Sequence, residues 1–152
     1  MPQNSPFEPR LMLSMNIAMQ PGVYALLLGS GASTATGIPT GWGVVEQLVR
    51  KVAAAAGTPI DGDDWEQWWS SHYGGRQLGY SSLLEDLGPT AATRSAMLSS
   101  FFEATDEERA EGHKIPGLTH RAIAKLVARG SIRVIVTTNF DRLIEHALDG
   151  AA

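Results

Sequence analysis

Apolar residues run through this chain in two rhythms. In "LMLSMNIAMQ" (11–20) they recur at helical spacing and stop before Pro21-Gly22, a turn signal. Residues 1–10 read as an extended lead-in. "VYALLLG" (23–29) is different: a continuous apolar run of strand length, bounded by glycine. Such runs suit a strand buried on both faces, as in parallel sheets. "GWGVVEQLVRKVAAAAG" (41–57) returns to the helical period, with Val44, Val45, Leu48, Val49 and Val52 on one face and Gly57 as C-cap.

Residues 58–115 are less regular. "GDDWEQWWSSHYGG" predicts a helix capped at Asp63 or Asp64, with Trp65, Trp68 and Trp69 on one side. "YSSLLEDLG" and "TRSAMLSSFFEATDEERAE" predict two more helices. A helix follows over Leu118–Arg129, with Ala122, Ile123, Leu126 and Val127 facing inward and Gly130 ending it. "IRVIVTTN" is the second strand, and "FDRLIEHAL" begins another helix.

The order is strand, helix, a helical insertion over 58–115, helix, strand, helix. Strands alternating with helices predict an α/β fold with a parallel sheet and right-handed crossovers. Two strands make a poor sheet where doubly wound domains have about five or six. The chain is therefore expected to be the N-terminal part of a larger α/β domain.

Composition narrows the partners. The 152 residues are 43% hydrophobic and 18% charged, with a net charge of −4. That is a globular balance able to bury a core, and it gives no overall basic field to attract nucleic acid. There are no cysteines, so disulfides and thiolate zinc sites are excluded. The longest apolar run is too short to span a bilayer, and the proline-rich start is not a signal peptide, so a cytoplasmic location is expected.

Chemistry concentrates where strands meet loops. "LLLGSGASTATGIPTGW" runs a strand into glycine and small residues ahead of a helix. Free N–H groups at such a turn attract anionic oxygens, and glycine allows close approach. Gly29 and Gly31 supply the first two positions of Gly-x-Gly-x-x-Gly, but Thr34 holds the third, and no Walker lysine follows. Spacing alone serves a structural strand–loop–helix turn equally well.

"GSGASTATGIPTGW" resembles the sirtuin (SIR2) signature Gly-Ala-Gly-x-Ser-x-x-Ser-Gly-Ile-Pro. Gly29, Gly31, Ser33, Gly37, Ile38 and Pro39 match it, while Ser30 and Thr36 depart from it. "TTNFD" resembles the sirtuin Thr-Gln-Asn-Ile-Asp motif, with Thr138 in place of glutamine. The approach "THRAIAKLVARGSIRVIV" also resembles the family, with His120 matching its structural helix histidine. The likeness covers roughly 22–148.

This resemblance implies a Rossmann-like, DHS/sirtuin-type parallel sheet with a helical insertion, incomplete in this chain. Residues 1–21 would be a lead-in and short helix, and 22–152 the N-terminal part of the NAD-binding domain. NAD would be substrate, with no metal. Gly29, Ser30, Gly31, Ala32, Ser33, Gly37, Ile38, Pro39 and Thr40 would hold it on one side, and Thr138, Asn139 and Asp141 on the other. Asn139 is the implied catalytic residue, since its amide holds a ribose hydroxyl or a water without titrating. Asp141 has two open readings: a partner for the nicotinamide carboxamide, or an N-cap for the following helix.

The departures shape the expected activity. The deacylases' Phe-Arg and four-cysteine zinc module are missing, and "GIPTGW" looks instead like bacterial SIR2-like NAD-consuming effectors of antiphage defence. No His-Gly follows the second motif, so the family's catalytic histidine is expected beyond residue 152. The chain alone is then expected to bind NAD weakly and hydrolyse it negligibly. A homo-oligomer or a downstream sensor module is the expected partner, and the rival reading is a non-catalytic module binding NAD or ADP-ribose, or a scaffold. The tryptophan triplet reads as core or as a base-stacking surface. His146 reads as a helix C-terminal cation, His72 and His113 as loop residues, and Arg121, Lys125 and Arg129 as a solvated stripe.

Overall fold

A computed structural model describes residues 8–74, 76 and 78–151. Helix α1 (Pro9–Met19) leads into strand β1 (Tyr24–Leu28) and two short 3₁₀ turns. Then come α2 (Gly41–Ala55), α3 (Trp65–His72), α4 (Tyr80–Leu87), α5 (Ala91–Phe102) and α6 (Asp106–Ala110). Helix α7 (Leu118–Ala128), strand β2 (Ile132–Thr137) and α8 (Leu143–Asp149) follow. The fold is mixed α/β with a two-stranded parallel sheet. Its elements separate into two compact units: Met1–Thr36 with Ile115–Ala152, and Gly37–Lys114.

In the first unit β1 pairs β2 from Tyr24↔Ile132 to Leu28↔Thr137, with an irregularity after Tyr24. The ladder runs on past both ends: Gly22 N–H donates to the Ser131 carbonyl, and Thr138 N–H donates to that of Leu28. The expectation that β1 is buried on both faces fails. Tyr24, Leu26 and Leu28 are half-buried, but Leu27 is 76% exposed, and Val134 and Val136 opposite are 52% exposed. A strand face is covered only where another layer lies on it. Here α7 packs on β2 and on α8. Apolar continuity in a sequence states a capacity for burial, not the presence of a cover.

The inward face of α7 also differs from expectation. His120, Ile123 and Ala124 are buried, Leu126 and Val127 are half-buried, and Ala122 is exposed. The buried stripe thus runs through His120, Ile123 and Ala124, with a histidine at a core position. Gly130 ends the helix as expected, at φ +71. Its N–H bonds the Val127 carbonyl while Ser131 N–H bonds that of Leu126, the paired closure of a Schellman end. Helix α1 opens at Pro9 inside the expected lead-in, whose residues 1–7 lie outside the described residues, and it buries none of its own.

The second unit has an apolar interior. Val44, Val45, Leu48 and Val49 of α2 pack with Trp65, Trp69, Leu83, Leu84 and Phe101. Thr40 caps α2, its hydroxyl accepting from Gly43 N–H, and Gly57 closes it in the left-handed conformation with the same Schellman pair. Asp64 precedes α3 but makes no side-chain cap bond. Two of the three tryptophans are core; Trp68 instead stacks on His72, which belongs to α3 and not to a loop. The single helix expected after "TRSAMLSS" is two. Thr105 opens α6 with a capping box to Glu108, and a strong start signal inside a helical run interrupts it.

Candidate functional site

Parallel pairing brings the carboxyl ends of both strands to the same edge of the sheet, and each continues directly into its small-residue loop. Leu28, the last residue of β1, ties them together: its carbonyl accepts from Thr138 N–H at 3.1 Å and from the Thr138 hydroxyl at 3.5 Å. Thr137 in turn accepts Asn139 N–H on its own hydroxyl at 3.0 Å. Asn139 is thus held by backbone and side-chain bonds at the strand end, where position is well defined.

The loop after β1 folds into a 3₁₀ turn over Ser30–Ala32, with Gly29 extended at φ −112. Neither Gly29 nor Gly31 has a positive φ, and a Cβ added to either meets no atom within 4 Å. Backbone conformation and internal packing therefore do not require glycine at either position. What a side chain there would obstruct is approach from outside. Gly37 differs. It sits at φ +86, and a Cβ would press on the His113 ring at 3.3 Å, so its own unit already demands glycine. Gly37, Ile38, Pro39 and Thr40 belong to the second unit, where Ile38 is buried and Thr40 is spent on the α2 cap.

Beneath the two loops lies a buried polar cluster. Ser33 is 0% exposed and His120 1%; Thr36 and Asp141 are also buried. His120 Nε2 lies 3.2 Å from Ser33 Oγ, and Asn139 Nδ2 lies 3.4 Å from the same oxygen. The Thr36 hydroxyl donates to the Ser33 carbonyl at 2.7 Å. Gly117 N–H donates to His120 Nδ1 at 3.2 Å, so the histidine satisfies an amide at the start of its own helix. A Cβ on Gly117 would meet Thr36 Cγ2 at 2.8 Å, and glycine is what lets α7 approach so closely. Asn139 Oδ1 is buried and has no hydrogen-bond partner. A buried orphan acceptor is costly, of order 1–3 kcal/mol, and native structures keep few of them.

Charge in this cluster is restrained. Burial holds the His120 imidazole below its ordinary pKa, and the nearby Asp141 carboxylate partly offsets this. With both ring nitrogens engaged, His120 is not a free base. One Asp141 oxygen accepts from Leu143 N–H at 3.1 Å, which engages the first backbone N–H of α8, although the residue at the N-cap position is Arg142.

The structure thus joins Ser33, Asn139 and, through Leu28, Thr138 around one strand edge, with Gly29–Ala32 in the adjoining turn. Sequence reasoning missed His120 as part of this cluster, although a histidine at a helical core position was a usable signal. His146 stands exposed in the last turn of α8, and Arg121, Lys125 and Arg129 are exposed, as a solvated stripe would be. Among the described residues no group of three or more His, Asp or Glu side chains could hold a metal ion, and no helix is long and apolar enough to cross a membrane. The chain matches no protein-family model and no curated protein.

Proposed function

We propose that the first unit is the nucleotide-binding part of a SIR2-like, Rossmann-like NAD-consuming domain. The reaction is hydrolysis of NAD at the nicotinamide–ribose bond, in a bacterial defence effector. The bond's electron pair leaves with nicotinamide, water oxygen bonds the ribose C1′, and one proton is released. The transition state resembles an oxocarbenium cation, so the protein must grip the ribose, hold the attacking water and exclude bulk solvent. Gly29–Ala32 would receive the diphosphate on free N–H groups, and Asn139 would hold the ribose or water with an uncharged amide.

The observation that carries the reading is the Asn139 amide. It is fixed at a strand end, bonded to the opposite loop, and keeps a buried polar atom without a protein partner. Beside it stand two glycines that neither conformation nor packing requires.

A second reading is favoured by His120, whose two ring nitrogens are both engaged. The histidine nearest the site is thus no proton acceptor, and the unit then binds NAD or ADP-ribose without cleaving it. One experiment separates the two in a protein that also supplies a catalytic histidine: nicotinamide release and NAD affinity, wild type against Asn139→Ala, with a thermal melt of both. Hydrolysis predicts release that falls about a hundredfold in the variant, the scale of one lost transition-state hydrogen bond. The binding reading predicts no release and a weakened affinity in the variant. An affinity that Asn139→Ala leaves unchanged contradicts both.

A further inference from the structure

We infer that His120 and Ser33 are positioning residues that set which way the Asn139 amide faces, with its oxygen held by Ser33 and its NH₂ turned to the ligand. The inference deepens the site proposed above, and its use in NAD binding rests on that reading. Gly117 N–H points at His120 Nδ1, so Nδ1 carries the lone pair and the proton of the neutral ring sits on Nε2. Nε2–H then donates to Ser33 Oγ at 3.2 Å.

Ser33 is fully buried, so its own hydroxyl hydrogen also needs a protein acceptor. His120 offers none, having become the donor. The other side-chain group bonded to Ser33 Oγ is the Asn139 amide, 3.4 Å away. Were the amide nitrogen to face Ser33, the serine would take two donors and strand its hydrogen, while Asn139 Oδ1 stayed buried without a partner. The two ends of an amide have nearly the same shape, so exchanging them costs nothing sterically. With the oxygen toward Ser33 the bonds run in one direction: Gly117 N–H to His120, His120 N–H to Ser33, Ser33 O–H to Asn139. The serine hydrogen and the amide oxygen are then both satisfied, and the two amide N–H donors take the buried position where the protein offers no partner.

The ligand atom that meets Asn139 is therefore a hydrogen-bond acceptor: a ribose or carboxamide oxygen, or the oxygen of a held water. His120 acts at a distance, through its tautomer. Asp141 is the charged group that faces it, and it favours protonation without supplying the bond that fixes the tautomer.

The test has one arm without ligand and one with NAD. In wild-type protein, nitrogen-15 spectra of the His120 ring at neutral pH should show the Nε2–H tautomer. The Nδ1–H tautomer would overturn the inference, because Ser33 would then donate to the histidine and accept from the amide. In the second arm NAD is titrated into wild type, Asn139→Asp and Ser33→Ala, each with a melt. Asn139→Asp keeps the shape and the acceptor for Ser33 but loses the NH₂, so affinity should fall about tenfold or more. Ser33→Ala should weaken binding by a similar factor, and an Asn139→Asp protein that binds NAD as tightly as wild type sinks the proposal. If wild type takes up no NAD, the nucleotide reading fails, and the His120 tautomer still decides the positioning.

Discussion

The unit Gly37–Lys114 and the unit that carries the strands fill their interiors with different kinds of side chain. The buried side chains of Gly37–Lys114 are aliphatic and aromatic, from Ile38 to Phe101, and none of the described buried polar residues belongs to it. The strand-bearing unit contains all four: Ser33, Thr36, His120 and Asp141. It also leaves Leu27, Val134 and Val136 in solvent. Apolar burial is enough to make a stable helical body. Buried polar groups add a desolvation cost that is recovered only when every partner is in place. A unit that accepts that cost, at the carboxyl edge of a parallel sheet, is where chemistry is to be sought.

The contrast can be broken by mutation. Leu48→Ala should cost about 2–5 kcal/mol, since it opens a cavity in the apolar cluster. Leu27→Thr, at an equally apolar position of a strand, should stay within about 0.5 kcal/mol because its side chain is already wet. Denaturant melts of the two variants measure this directly, and equal costs would show that the sheet face is covered in solution.

A smaller effect is expected at the junction of α7 with the first loop. Gly117→Ala should drive Thr36 Cγ2 outward and disturb the Thr36–Ser33 bond, at about 1–3 kcal/mol. Gly29→Ala, whose Cβ meets nothing, is the control for glycine replacement as such. A melt of Gly117→Ala that matches this control would mean α7 yields freely.

The smallest effect is the dependence on pH. Burial lowers the His120 pKa in the folded chain, so between that value and about 6.5 the unfolded chain binds a proton that the native one does not. Stability from this residue is therefore complete above about pH 6.5 and declines as the pH falls through the folded value. His120→Gln should flatten that part of the stability curve. An unchanged slope would assign the acid sensitivity to other groups.

Much of the frame was legible from residue pattern alone. Both strands, α2 with its Gly57 stop, and α7 with its Gly130 stop followed from periodicity and chain punctuation, because those signals act within a few residues. The exposed faces of Leu27 and Val134 were not legible, since burial depends on a covering layer that no local pattern encodes. The split between α5 and α6 was encoded in Thr105 and Glu108 but was outweighed by the helical run around it. In the site, Asn139 was singled out by the resemblance of "TTNFD" to the sirtuin motif. The chain of bonds behind it did not, because Ser33, Gly117, His120 and Asn139 are separated by up to 106 positions and meet only in the folded protein.

The loop after β1 is open at Gly29 and Gly31, and the proposed occupant of that opening is a nucleotide. Gly31→Val separates ligand contact from folding, because its Cβ meets no protein atom within 4 Å and its backbone needs no special conformation. Calorimetric titration with NAD should give saturable binding to the wild type and none measurable to Gly31→Val, while the melts of the two agree within about 0.5 kcal/mol. Equal NAD affinity in the two folded proteins, or no binding to either, would contradict it.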